Sequence, residues 1–182
     1  MKFTELAVSG AFYVEIEPHG DDRGFYARAW CEDELAAHGC EARIAQINLS
    51  TNVKGGTVRG MHLQRPPYAE AKFFRCVSGA TYHVVVDVRP DSPTYGKWAG
   101  VELRADRYDA LYVPPYCAKG YQALADGATV LYAASSKYAP GSEAGVRWDD
   151  PTLAIEWPIT EGVTISDKDK SWPDLQLDGR QL

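Results

Sequence analysis

Three extended segments in succession decide the fold: Val58-Arg59-Gly60-Met61-His62-Leu63-Gln64, then Lys72-Phe73-Phe74-Arg75-Cys76-Val77 after a Pro66-Pro67 turn, then Thr81-Tyr82-His83-Val84-Val85-Val86-Asp87-Val88-Arg89. In the third, Tyr82, Val84, Val86 and Val88 share one face, and Thr81, His83, Val85, Asp87 and Arg89 share the other. That period of two is the mark of a strand. Working outward, Ile44–Thr51 alternates in the same way, with Gln46, Asn48 and Ser50 on one face and Ile47 and Leu49 on the other. Thr129–Tyr138 places Val130, Tyr132, Ala134, Ser136 and Tyr138 together, and Lys97–Leu103 and Ala110–Val113 read as further strands. Only Cys31–His38 reads as a helix, ended by Gly39. The 16 glycines and 11 prolines are spread as turn punctuation. Many short strands between such turns predict an all-β sandwich or jelly-roll barrel with little helix.

The 182 residues suit a single domain spanning 1–182, with no internal repeat, low-complexity tract or linker. A formal charge of −6 argues against non-specific nucleic-acid binding, which needs a basic face. A local basic cluster can still hold a small anion. Residues 1–10 carry no long apolar core, and no apolar run approaches the ~18 residues of a membrane span. The expectation is a cytoplasmic protein with no membrane partner. Cys31, Cys40, Cys76 and Cys117 show no Cys-x-x-Cys spacing, as expected of reduced thiols. His19, His38, His62 and His83 show no His-x-His pair, so no metal is expected. Gly55, Gly56 and Gly60 lack the spacing of a dinucleotide-binding loop, and no redox cofactor is expected.

The first two segments also carry chemistry. His62 offers an imidazole that can act as a general base, and Lys72 is a side chain that can face an oxyanion. Placed on neighbouring segments, the two suit proton abstraction next to a carbonyl. Several strands put polar groups and aromatics on one face, such as Gln46/Asn48/Ser50 and Tyr132/Ser136/Tyr138. A barrel interior that holds a polar ligand reads this way, whereas a packed interior is apolar.

Taken in order, further motifs extend along the chain. They are Asp22-Arg23-Gly24-Phe25-Tyr26, Gln46-Ile47-Asn48-Leu49-Ser50, Lys54-Gly55-Gly56-Thr57-Val58-Arg59-Gly60-Met61-His62-Leu63-Gln64 and Asp91-Ser92-Pro93-Thr94-Tyr95-Gly96-Lys97-Trp98. Val113-Pro114-Pro115-Tyr116-Cys117-Ala118-Lys119-Gly120-Tyr121, Tyr138-Ala139-Pro140-Gly141-Ser142-Glu143, Trp148-Asp149-Asp150-Pro151 and Ser166-Asp167-Lys168-Asp169 follow. Their order and spacing resemble the dTDP-4-dehydrorhamnose 3,5-epimerase family of sugar-nucleotide epimerases, nearly end to end. The resemblance implies a cupin-type jelly roll acting as a homodimer that exchanges an N-terminal segment, without metal or redox cofactor. It implies a nucleoside-diphosphate-linked 4-keto-6-deoxy sugar, inverted at C3, C5 or both.

On that resemblance His62 is expected to be the base and Asp169 to fix its tautomer, as in other His–carboxylate pairs. Lys72 is expected to face the C4 oxygen, and Tyr132 to return a proton on the opposite face. Arg23, Arg59 and Lys168 are expected to hold the diphosphate; Gln46, Asn48 and Glu143 to fix nucleotide and sugar; Phe25 and Tyr138 to stack on base or ring.

Two positions depart from the family pattern. Lys119 stands where the family usually has His, and reads as an added cation that bears on enolate stabilisation or on which carbon is inverted. Arg28 stands where the family usually has Glu. An arginine offers donors only, which makes a cytidine- or guanosine-linked sugar a rival to the thymidine-linked one. A single-carbon epimerase and a non-catalytic sugar-nucleotide-binding jelly roll are also compatible with the sequence.

Overall fold

The computed structural model describes residues 1–179 and 182. Among them, the strands are β1 (Lys2–Glu5), β2 (Phe12–Glu15), β3 (His19–Asp21), β4 (Gly24–Tyr26), β5 (Gln46–Thr51), β6 (Val58–Gln64) and β7 (Lys72–Ser78). They continue as β8 (Ala80–Asp87), β9 (Trp98–Arg104), β10 (Ala110–Val113), β11 (Cys117–Ala123), β12 (Thr129–Ala134) and β13 (Glu143–Gly145). The helices are α1 (Glu32–Ala37) and α2 (Asp167–Lys170). One sheet runs β1-β2-β10-β7-β12-β5, a second runs β13-β6-β11-β8-β9, and β3 and β4 form a separate hairpin. Neighbouring strands are antiparallel. The architecture is an all-β jelly roll with two short helices.

The two sheets bury different sets of side chains. Between them lie Val8, Ala11, Phe74, Cys76, Val85, Leu103, Leu111, Val113 and Val130. The second sheet is covered on its outer face as well, where Leu153, Trp157 and Leu175 pack on Val84, Val86 and Val88. β8 is therefore buried on both faces, with Val84 and Val86 on the outer side and Val85 beside the buried polar Thr81, His83 and Asp87 on the inner. The outer face of the first sheet is covered in part, where Leu35, Cys40 and Trp30 pack with Phe12, Phe73 and Tyr112, and is open towards β5 and β12: Ile47 and Leu49 are 61% and 66% exposed, and Leu131, the cross-strand partner of Leu49, is 38% exposed.

Several boundaries differ from the sequence reading. The expected helix at Cys31–His38 is shorter, with Cys31 and His38 as its caps and Gly39 at φ +72 just beyond. The strand expected from Ile44 begins at Gln46, and the one expected to reach Tyr138 ends at Ala134. Beyond Ala134 the chain leaves the ladder: the Ser135 N–H donates to Ala71 O, and the Tyr138 N–H to the Gln46 side chain at 2.8 Å. His62 and Lys72 are not on paired strands. β6 pairs with β11 and β13, β7 with β10 and β12, so the Pro-Pro turn carries the chain from one sheet to the other. Arg75 points to the outer face, where it donates to Ala29 O at 2.8 Å.

One close approach sets the geometry of the second sheet. Gly60 (φ +145) and Gly120 meet across β6 and β11, and a Cβ on Gly60 would lie 2.4 Å from Gly120 Cα. Only glycine tolerates that contact and that φ. The register shift between Lys119 and Tyr121 falls at this contact, and Lys119 is left paired with His62. No helix among the described residues is long and apolar enough to cross a membrane.

Candidate active site

The mouth and interior of the barrel hold two cavities of about 350 and 330 Å³, both bordered by His62, Lys72, Tyr132 and Asp169. The first is further lined by Gln46, Asn48, Glu70, Tyr138, Glu143 and Lys168, the second by Ser50, Arg59, Phe74, Lys119 and Tyr121. The polar face of β5 thus turns inward, and its apolar face turns out.

On the β6 side, His62 Nε2 lies 2.6 Å from Asp169 Oδ1. The other carboxylate oxygen accepts the Gly60 N–H at 3.2 Å, and the Asp169 N–H donates to Ser166 Oγ, the cap of α2, at 3.1 Å. Burial alone would push the Asp169 carboxyl up, but its hydrogen bond and charge interaction with His62, then the Gly60 N–H, outweigh burial and hold it below the usual range. An ionised Asp169 accepts from Nε2–H and so fixes a proton on that nitrogen. Nδ1 is then free to take a proton. The Trp172 ring meets the imidazole edge-on at 6.2 Å.

On the opposite sheet, Lys72 Nζ lies 2.7 Å from Glu70 Oε1, with the two side chains 16% and 7% exposed. The sequence reading passed over Glu70. Its signal was the two-residue spacing to Lys72, which puts both on one face of an extended segment. Tyr132 stacks on Phe74 with ring centroids 5.0 Å apart. Burial first, then Glu70 and Tyr121, raise its hydroxyl above the ordinary tyrosine range. It is therefore a phenol at neutral pH, suited to donating a proton.

Lys119 is 6% exposed and stands over the faces of Phe74 and Tyr121, its Nζ 3.4 and 4.5 Å from their centroids. The residue read from the sequence as an added cation thus sits desolvated in the barrel. Burial, and then the charge of Lys72, lower its ammonium well below the ordinary lysine range. Desolvation disfavours the charged form, and a nearby like charge adds to it.

The rim gathers Gln46, Asn48, Tyr138, Glu143 and Lys168. Gln46 Nε2 donates to Asn48 Oδ1 at 3.1 Å, the Tyr138 hydroxyl donates to Glu143, and Lys168 Nζ is 3.1 Å from Glu143 Oε1. The hydrogen bonds from Tyr138 and Lys168 bring the Glu143 carboxyl down to about 2. Arg59 is aimed by Asn52, whose Oδ1 accepts from Arg59 Nε at 2.9 Å. Gln64, buried, spans the loop above β13 through Ala139, Ser142 and Lys137.

Arg23, Phe25 and Arg28 are not brought to this cavity. Arg23 pairs with Asp21 at 2.5 Å on the exposed β3–β4 hairpin, Phe25 packs edge-on against Tyr108, and Arg28 pairs with Glu34 at 2.5 Å. Among the described residues, no group of three His, Cys, Asp or Glu side chains is arranged to hold a metal ion.

Residues 5–176 match the family model described as dTDP-4-dehydrorhamnose 3,5-epimerase. A dTDP-4-dehydrorhamnose 3,5-epimerase of Sinorhizobium fredii is 35% identical over 175 residues, covering 96% of this chain and 90% of the relative. A dTDP-4-dehydrorhamnose 3-epimerase of Streptomyces niveus is 40% identical over 159 residues, covering 87% and 76%. The crystal structure of the Bacillus anthracis 3,5-epimerase with TDP and PPi bound superposes with a TM-score of 0.89 at 37% identity, covering 96% of this chain and 99% of that one.

Proposed function

The chain belongs to the dTDP-4-dehydrorhamnose 3,5-epimerase family, with its cupin-type jelly roll, and on that premise we propose how its cavity works as an isomerase in deoxysugar biosynthesis. The substrate is a dTDP-linked 4-keto-6-deoxy sugar. The ketone acidifies the hydrogens on the two carbons beside it. His62, held by Asp169, removes one such hydrogen. The charge that moves to the C4 oxygen meets the Lys72 ammonium, and Tyr132 delivers a proton from the facing sheet. The observation that carries this reading is the placement of the His62–Asp169 pair across one cavity from the Lys72–Glu70 pair. A preorganised cation at a developing oxyanion contributes about 3–4 kcal/mol.

Arg59 and Lys168 take the diphosphate, and Tyr138 stacks on base or ring. A cytidine- or guanosine-linked sugar is not favoured, since a relative crystallised with ligand holds TDP. Arg28, the residue that suggested it, is engaged by Glu34.

The test is deuterium uptake from heavy water into dTDP-4-keto-6-deoxyglucose, followed by NMR at C3 and C5. Tyr132→Phe is expected to slow inversion about 100-fold while exchange falls much less, because abstraction from the His62 side survives. Equal loss of both would remove Tyr132 from the donor role.

The functional unit in this reading is a homodimer. The stripe formed by Ile47, Leu49 and Leu131 is the apolar face that a second copy would cover. The exposed hairpin carrying Arg23 and Phe25 would then reach the cavity of that copy. Light scattering is expected to give twice the chain mass, and Ile47→Glu with Leu131→Glu to give the monomer with weakened dTDP binding. A wild-type monomer at micromolar concentration would sink this arrangement.

A further inference from the structure

The barrel contains two lysines in unlike settings. Lys72 has Glu70 at 2.7 Å. Lys119 makes no ion pair among the described residues; it lines the second cavity with its amine over Phe74 and Tyr121, which line the same cavity. The titratable groups around it are Lys72 from β7, His62 from β6, His83 from β8, Tyr132 from β12 and Tyr121 from its own strand. The nearby carboxylate, Asp169, is committed to His62. Titratable groups whose surroundings push them apart mark a division of roles.

Position adds to this. Lys119 and His62 are direct partners in the β6–β11 ladder. Side chains so paired project from the same face of a sheet, with Cβ atoms roughly 4.5–5.5 Å apart. Lys72 and Tyr132 face them from the other sheet.

We propose that Lys119 is a second catalytic base, standing beside His62 and removing the hydrogen from the other carbon that flanks the ketone. This rests on the reading of the cavity as a 4-keto sugar site. In a gluco-configured chair the hydrogens on C3 and C5 are both axial on one face, so two bases side by side on one sheet match two hydrogens side by side on one ring. The uncharged amine takes the C–H proton and becomes an ammonium, while the C–H electron pair passes into the enolate at C4. Tyr132 protonates the carbon from the opposite face. The ammonium then gives its proton to water and the tyrosinate takes one back, leaving the protein unchanged. While charged, the Lys119 head rests on the faces of Phe74 and Tyr121, a cation–π contact that stabilises it in that step. Burial and the charge of Lys72 both favour the uncharged form of the amine.

The experiment reads deuterium uptake at C3 and C5 separately in wild type, Lys119→Gln, Lys119→Arg and His62→Asn. In both Lys119 variants, uptake at one carbon is expected to fall by about 100-fold or more, with the other little changed. Arginine keeps much of the length but stays charged and has no lone pair to offer at neutral pH. In His62→Asn, where Lys119 is intact, uptake is expected to persist at the carbon the Lys119 variants lose. Equal loss at both carbons in His62→Asn overturns the proposal, whether or not the Lys119 variants fold. So does wild-type uptake at both carbons in Lys119→Arg. A wild-type protein that binds dTDP yet exchanges neither carbon would instead overturn the reading of the site itself.

Discussion

His62→Asn is expected to lower formation of the inverted product by about 10³-fold or more, the loss typical of a missing general base. Binding of dTDP should stay near wild type, measured by thermal shift, because a ligand that binds the folded state raises its apparent stability. The size of the effect follows from the surroundings of the ring. Asp169 is buried, ionised and hydrogen-bonded to Nε2, so the imidazole presents its lone pair at Nδ1 in a fixed orientation. Asparagine matches the length of the first bonds but offers no comparable base. Any deuterium uptake that survives is expected at one carbon only, the one assigned to Lys119. Product formation within about tenfold of wild type would remove His62 from the chemistry.

Lys72→Met is expected to cost about 10²–10³ in kcat, the range seen when one oxyanion donor is removed. It also strands Glu70. That carboxylate is 7% exposed, and its ion pair to Lys72 at 2.7 Å would be gone. Removing one partner of a buried pair destabilises by about 3 kcal/mol or more, reduced here because Lys72 borders an open cavity. Adding Glu70→Gln removes the stranded charge. The double variant should therefore recover most of the urea stability of the wild type while its kcat stays low. Recovery of kcat along with stability would show that Lys72 matters for folding and not for the oxyanion.

Much of this site was legible residue by residue. The inward face of Gln46, Asn48 and Ser50 followed from alternation, since a strand sends successive side chains to opposite sides and only one side of β5 borders the cavity. His62, Lys72, Tyr132 and Asp169, named from the family resemblance, all border one space. Glu70 was missed because an ion pair between close neighbours looks no different in sequence from two solvated charges. Helix α2 was missed because four residues show no helical period, yet it is what delivers Asp169 to His62. The surroundings of Lys119 were not legible, because the burial and the Lys72 charge that lower its ammonium come from segments far along the chain. Arg23, Phe25 and Arg28 were expected at the cavity and lie away from it in the single chain.

By itself, the sequence determined β5–β10 and β12 as strands and the alternation of their faces, and through the family resemblance it named the residues proposed to remove and return a proton beside a ketone. These are local properties, set by side-chain alternation and by the chemistry of individual groups. The tertiary structure decided that β6 and β7 belong to opposite sheets, that among the described residues Lys72 has a counter-ion and Lys119 lacks one, and that Asp169 reaches back across 107 positions to His62. Desolvation and Coulomb interaction depend on distance in space, and distance in space is fixed only when the two sheets close on each other.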